Sequence, residues 1–501
     1  MTVPTPRRID VTDLLGSVLL CLTVALGFLF AVPEWSHWAL VPVTLCGVAI
    51  GVDAVRVVRG RLDILDPVGV IGLVGLHFFF LAPLLHVATR YWMWLEPVAQ
   101  PLDWRPWVGL MAALNLLGIL MYRLGRIIRF PTPRQPTPRR WTVQNSRIYV
   151  FAAVLLPVSL LLQMYVYQKF GGVYGYIVAF GEGSTEFQGM GPVFMLSEIF
   201  PFILFMAGVA LFRGRKVSRS YLFVALVLVL LLVLRIYFGG LRGSRANYVW
   251  YMVWMGAVSH VYFRKIQFRH VVPVIVLVVL FSTFYWYYKV LGAEMFSEEG
   301  RAGIERYESH RGGVLTSVLL GDLGRADVQA FVLYQTLLPD VYDPAQGQTY
   351  LYGLLLPLPD VLVPLRPRGK VAVGTEALYG RGHRVPGGTM SSRVYGLAGE
   401  AMLNFGPAAV PVAFLLLGLF VGAVQRARNR IPPGDARHIL YPFVMVVCLQ
   451  FLYLDLENVV YYVITVGVPP LLIVWSSSLV RQGSPRPTTV RAAPPAGVVS
   501  V

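Results

Sequence analysis

The sequence predicts an all-α polytopic integral membrane protein of about twelve transmembrane helices with one large outer loop containing short helices. Three observations carry this reading. Of 501 residues, 56% are hydrophobic and only 14% charged, a balance foreign to a soluble domain. Apolar runs recur along the whole chain, and a helix needs about 20 residues to cross a bilayer. The positive charges collect in alternate connections between those runs, as short cytoplasmic loops do.

The runs lie at Leu14–Val32, Trp38–Val58, Val68–Leu85, Pro106–Tyr122, Ile148–Tyr167, Val193–Phe212, Tyr221–Phe238, Ala246–Phe263, Val271–Leu291, Gly399–Val424, Ile439–Leu454 and Val459–Val480. Their length and the absence of alternation predict helices rather than strands. The first run is too long for the apolar core of a signal peptide and no small-x-small cleavage site follows it, so it reads as an uncleaved span. Residues 1–291 thus hold spans one to nine, 292–398 the large loop, and 399–480 spans ten to twelve. The segment 481–501, rich in Pro, Arg, Thr and Ala, reads as a disordered cytoplasmic tail. The cysteines Cys21, Cys46 and Cys448 all fall inside predicted spans. Neither a disulfide framework nor metal-ligand spacing follows from them.

The net charge of +17 is a topology signal. With Arg7 and Arg8 placed in the cytoplasm, the inner connections carry Arg56, Arg59 and Arg61, then Arg123, Arg126, Arg129, Arg134, Arg139, Arg140 and Arg147. Further along come Arg213, Arg215, Lys216 and Arg219, Arg264, Lys265 and Arg269, and Arg426, Arg428, Arg430 and Arg437, with Arg481 near the end. This distribution puts both termini in the cytoplasm and argues against a nucleic-acid partner.

From Gly292 to Ala398 the chain faces the opposite side, and loops of that length are usually functional. Val314–Leu338 has apolar residues at helical spacing and is predicted as a surface or re-entrant helix; Tyr350–Leu365, broken by prolines, is predicted to be interfacial. The other outer loops are aromatic, with Tyr91-Trp-Met-Trp94, Trp104 and Trp107, then Tyr174, Tyr176 and Phe180. These serve either as interface anchors or as platforms for sugar rings.

Candidate functional residues gather on that outer side. In Phe238-Gly-Gly-Leu-Arg-Gly-Ser-Arg245, Arg242 and Arg245 sit on glycine-rich backbone between two apolar helices. The planar guanidinium binds phosphate oxygens in pairs, so a diphosphate is the expected ligand. Arg235 lies one heptad earlier and deeper in the apolar run. Arg381, Arg384 and Arg393 form a second basic cluster before the tenth predicted span. Glu400 opens that span with Asn404 one turn later on the same face, which suits a general base beside a bound glycan. His310 is an alternative base, with His383, Glu376, Asp322 and Asp327 as weaker candidates. Asp455 and Glu457, in a short outer turn, read as a polar cap.

At three places the chain resembles the oligosaccharide repeat unit polymerases, also called O-antigen polymerases. Gly240-Leu-Arg-Gly-Ser-Arg-Ala246 is similar to the family's glycine–arginine segment. Tyr352-Gly through Leu-Pro357-Leu-Pro359-Asp-Val-Leu-Val-Pro364-Leu-Arg366-Pro367 resembles its proline-rich stretch, although Asp360 and Val363 stand where an arginine and a tryptophan are common. Gly399-Glu-Ala-Met-Leu-Asn-Phe-Gly406 resembles its Gly-Glu-x-x-x-Asn-Phe-Gly motif. The resemblance implies a fold of the class C glycosyltransferase type, as in O-antigen polymerases and ligases. It also implies transfer of a glycan from undecaprenyl diphosphate to another lipid-linked repeat unit, outside a bacterial cytoplasmic membrane. Arg242 and Arg245, with Arg393, would then hold the leaving diphosphate, and Glu400 or His310 would accept the proton. No cofactor and no metal is implied. The expected partners are the undecaprenyl-diphosphate-linked oligosaccharide, the lipid bilayer, and flippase and chain-length regulator proteins.

Two other functions stay open. An O-antigen-type ligase would use the same apparatus with a different acceptor. A lipid-linked oligosaccharide flippase also has about twelve spans, but places its polar residues near the bilayer midplane.

Overall fold

In the computed structural model, residues 10–92, 100–128, 140–181, 187, 190–241, 245–291, 314–338, 341–380, 393–432 and 435–481 are described. The protein is an all-α polytopic membrane protein, and among these residues nine helices are long and apolar enough to cross a membrane. Seven come first: α1 (Val11–Ala31), α2 (Leu40–Val58), α3 (Pro67–Thr89), α4 (Arg105–Ile127), α5 (Asn145–Lys169), α6 (Val193–Phe212) and α7 (Tyr221–Gly239). The next two predicted spans correspond to helices α8 (Arg245–Tyr262) and α9 (Phe268–Leu291). The large loop contributes α10 (Ala326–Leu337), α11 (Gln348–Leu355), α12 (Lys370–Tyr379) and α13 (Gly396–Phe405). The span α14 (Ala409–Arg430), the short apolar helix α15 (Tyr441–Tyr453) and the span α16 (Leu456–Ser477) follow.

The spans are built for lipid on one side and protein on the other. In α1 the buried residues are Asp13, Ser17, Cys21 and Ala25, while Leu19 and Phe30 stand 65% and 84% exposed. Small residues inside let helices approach, because packing rather than hydrophobicity joins helices in a bilayer. The tightest example is α4 against α14. A methyl group on Gly418 would lie 2.2 Å from the backbone oxygen of Tyr122, and one on Gly125 would lie 2.4 Å from that of Leu415. Two large hydrophobic cores result, with a smaller cluster of Val166, Tyr167, Phe170, Tyr176, Met190 and Phe194 at the end of α5. One joins α1–α4 to α10, α12, α13 and α14, and the other joins α5, α6 and α8 to α16. Helix α15 belongs to both, with Met445, Val446 and Val447 in the second and Cys448, Leu449 and Leu452 in the first. A helix that is apolar all round is a core helix, which is why its 13 residues suffice.

Three expectations are corrected. The tenth predicted span divides into α13 and α14, because Gly406 adopts a left-handed φ of +77° and Pro407 follows without a donor N–H. Glu400 therefore lies on a short helix ahead of the span rather than in its first turn. The stretch Val314–Leu338, expected as one surface or re-entrant helix, is two helical pieces, Val314–Asp322 and α10, and α10 buries Val328, Ala330, Phe331 and Val332 in the first core instead of lying on the surface. The last span ends at Ser477, and Ser478–Arg481 forms an antiparallel strand pair with Arg140–Val143. By contrast, the proline-broken segment after α11 carries Val361 and Leu365 at 89% and 93% exposure.

At the end of the bundle where the strand pair sits, arginines are held by buried acids. Asp13 lies 2.7 Å from Arg61 and 3.2 Å from Arg59. Asp53 is fully buried and lies 3.0 Å from Arg126, with Arg56 at 3.5 Å and Arg123 at 3.6 Å. These links tie α1, α2 and α4 together. The account of α4 and α14 predicts that Gly418→Val, which drives a branched side chain into backbone, lowers stability by at least about 1–3 kcal/mol. Thermal unfolding of the detergent-solubilised protein measures it, and a variant as stable as the wild type contradicts the close approach.

Candidate functional site

The end opposite the strand pair carries two sites, joined by α16. The first is the turn between α15 and α16. Asp455 is fully buried there. Its Oδ1 accepts hydrogen bonds from the backbone N–H groups of Tyr395 and Gly396 at 2.9 and 3.0 Å, and its Oδ2 pairs with Lys370 of α12 at 3.1 Å. Next to it, Glu400 is also buried. Leu456 N–H donates to Glu400 Oε2 at 2.7 Å, and Thr349 Oγ1 lies 2.8 Å from Oε1. Asn404 Nδ2 donates to the same Thr349 oxygen at 2.6 Å and to the Glu400 carbonyl at 2.8 Å, while Thr349 N–H donates to Asn404 Oδ1 at 3.3 Å. The two acids therefore fasten α11, α12 and α13 to the start of α16. Burial first, and the neighbouring Asp455 carboxylate second, push Glu400 up to about 8, so its carboxyl is neutral near pH 7.

The second site lies between spans. Arg235, near the end of α7, is buried, and its Nη2 pairs with Glu198 Oε2 of α6 at 3.1 Å. Its Nη1 donates to the carbonyls of Phe238 at 3.1 Å and Glu198 at 3.4 Å. The Tyr251 ring faces the guanidinium, 5.1 Å from its carbon. A cavity of about 130 Å³ opens beside the pair, lined by Phe194, Glu198, Phe202, Arg235 and Tyr251 and by Tyr461, Thr465 and Pro469 of α16. The glycine–arginine turn begins directly above. Gly239 has φ +94°, and a methyl group there would lie 2.2 Å from Glu198 Cδ. Glycine is required at that position both by conformation and by the acid packed against it.

Of the predicted site residues, Arg242, His310, Arg381 and Arg384 lie outside the described residues, as does His383. Arg245 opens α8, with its side chain outside the description. Arg393 is half-buried just ahead of α13. Glu400 and Asn404 come together with Thr349, enclosed by protein rather than facing a cavity. Glu376 pairs with Arg368 at 2.7 Å, and Asp327 lies 3.8 Å from His86 inside the first core. Asp455 is far more than the polar cap it resembles in sequence. The aromatic loops pack on themselves: Trp92 and Trp104 stack at 4.8 Å, Trp107 meets Tyr334 edge-on at 4.9 Å, and Tyr176 is buried against Tyr167 and Phe170. Tyr174 stands exposed. Sequence reasoning passed over Glu198, although a lone acid in the run Val193–Phe212 is a signal in itself, because ionisable residues inside spans are costly and usually functional.

These features define a multi-pass membrane protein with a buried carboxylate node on the loop side and an intramembrane ion pair beneath it. The chain matches no family model, no curated protein and no solved structure.

The raised Glu400 has a signed consequence. A carboxyl more basic in the folded than in the unfolded state contributes stability at low pH that is lost as pH rises through its folded value. The melting temperature is expected to fall as pH is raised from about 4.5, the ordinary value, to about 8, the folded value, and this contribution to the fall ends above it. Glu400→Gln, which copies the neutral acid, removes that part of the fall. Identical pH profiles for variant and wild type contradict the assignment.

Proposed function

We propose that this chain is a polyprenyl-diphosphate-dependent glycosyltransferase. It polymerises undecaprenyl-diphosphate-linked oligosaccharide repeat units on the outer face of a bacterial cytoplasmic membrane, with both termini in the cytoplasm. The observation that carries this reading is the position of α16. Its first residue donates to Glu400 in the Gly-Glu-x-x-x-Asn-Phe-Gly segment. Its first turn packs on the proline-rich segment, where a methyl group on Gly353 would lie 3.0 Å from Glu457 N. Its middle lines the cavity of Arg235, at the foot of the glycine–arginine turn. Two of the three segments that resemble the polymerase family thus meet this helix, and the third follows Arg235 along the chain.

In this reading Arg242 and Arg245, with Arg393, stabilise the charge that develops on the leaving diphosphate, where preorganised donors act most strongly. Arg381 and Arg384 add to the binding of the lipid-linked substrate's diphosphate. Glu400 and Asn404 hold the loop in register on α16. The energy comes from the anomeric phosphate bond, so the reaction calls on no nucleotide. A ligase would use the same parts with another acceptor. A lipid-linked oligosaccharide flippase would place its polar residues at the midplane. Arg235 lies four residues before the end of its span and Glu198 five after the start of its own. At 1.5 Å per residue that is about 6–8 Å from the ends, roughly midway between the ends and the middle of those spans.

The double variant Arg242→Ala, Arg245→Ala is expected to reach the membrane at wild-type levels yet reduce long-chain glycan by about 10²-fold or more, read from the polymer ladder on a gel. A normal ladder overturns the proposal.

A further inference from the structure

We propose that Glu198 takes the proton from the attacking sugar hydroxyl, and that the cavity beside Arg235 receives that hydroxyl; this rests on the glycosyl-transfer reading above. The reaction needs a carboxylate that can reach substrate. Glu400 has both oxygens engaged, by Thr349 and Leu456, and Asp455 is committed to Lys370 and two backbone donors. Glu198 differs from both, because it lines a cavity and its side chain keeps 14% exposure. Its backbone and carboxylate are both clamped by Arg235, so it is held in one place, as a group that must meet a reacting atom has to be. Gly239, three residues before Arg242 in the sequence, packs against the Glu198 side chain.

The rest of the cavity suits a hydroxyl. Its walls carry the Arg235 guanidinium and the Tyr251 phenol, groups able to hydrogen-bond a hydroxyl oxygen. Thr465 and Tyr461 line the opposite wall. The acceptor oxygen forms a bond to the anomeric carbon while the bond from that carbon to the diphosphate oxygen breaks. The electron pair of the broken bond leaves with the diphosphate, which the arginines hold, and the hydroxyl proton passes to Glu198. No oxidant, reductant or further reactant is needed.

A purely structural Glu198 would merely staple α6 to α7. The two roles separate in a strain deleted for the gene and complemented with wild type, Glu198→Gln or Glu198→Asp. Surface polymer is measured together with native mass spectrometry of each purified protein mixed with undecaprenyl diphosphate. The proposal expects Glu198→Gln to bind undecaprenyl diphosphate like the wild type and lose polymer by about 10²-fold or more, the usual contribution of a positioned base. Glu198→Asp, which keeps a carboxylate, retains measurable polymer. Full polymer from Glu198→Gln overturns the assignment, and so does loss of undecaprenyl diphosphate binding in step with polymer, which marks a shape-keeping residue. If the deletion itself leaves polymer unchanged, the glycosyltransferase reading falls and this inference with it.

Discussion

Two carboxylates buried side by side where α15 turns into α16 govern how the rest of this end is assembled. Removing a charge from water is expensive unless it is paired and hydrogen-bonded. Asp455 meets that demand with Lys370 and two backbone N–H groups, and Glu400 by remaining neutral between Thr349 and Leu456. Each partner comes from a different element, so satisfying the two acids forces α11, α12 and α13 into place on one turn. Because α16 is a continuous element from Leu456 to Ser477, whatever seats the loop also sets the wall of the Arg235 cavity.

The two ends of the bundle treat their charges in opposite ways. At the strand-pair end, Asp53 and Asp13 absorb arginines from neighbouring helices. Those charges belong to packing and to the membrane topology the sequence predicts. At the other end, Glu198 and Arg235 pair within the spans and still border open space. An ion pair placed in apolar surroundings and left beside a cavity is the costlier arrangement, which is the physical reason to assign it work.

How much of this was legible differs by element. Of predicted spans one to nine, the first seven have helices long and apolar enough to cross a membrane, and the eighth and ninth have the helices α8 and α9 over them. The tenth was misread because apolar residues continue past a break that Gly406 and Pro407 impose. Over Val314–Leu338 helical spacing says that a helix is present and not what covers it, so surface and re-entrant placements both stayed open; α10 is covered by α4 and α13. Glu400 was visible as an acid near a helix start, but its neutrality was not, since Thr349, Asp455 and Leu456 are about fifty residues away along the chain and reach it only through the fold. Glu198 was readable from its apolar neighbours alone. Its partner was noticed separately, and only the packing of α6 on α7 brings the two together.

The central claim is that this end of the molecule joins lipid-linked repeat units. It is tested most directly by the lipid-linked glycan pool of cells lacking the gene, resolved by chain length and by leaflet. The account predicts single repeat units on undecaprenyl diphosphate stranded in the outer leaflet, with the long polymer gone. Accumulation in the inner leaflet, or long polymer still attached to the lipid, would contradict it.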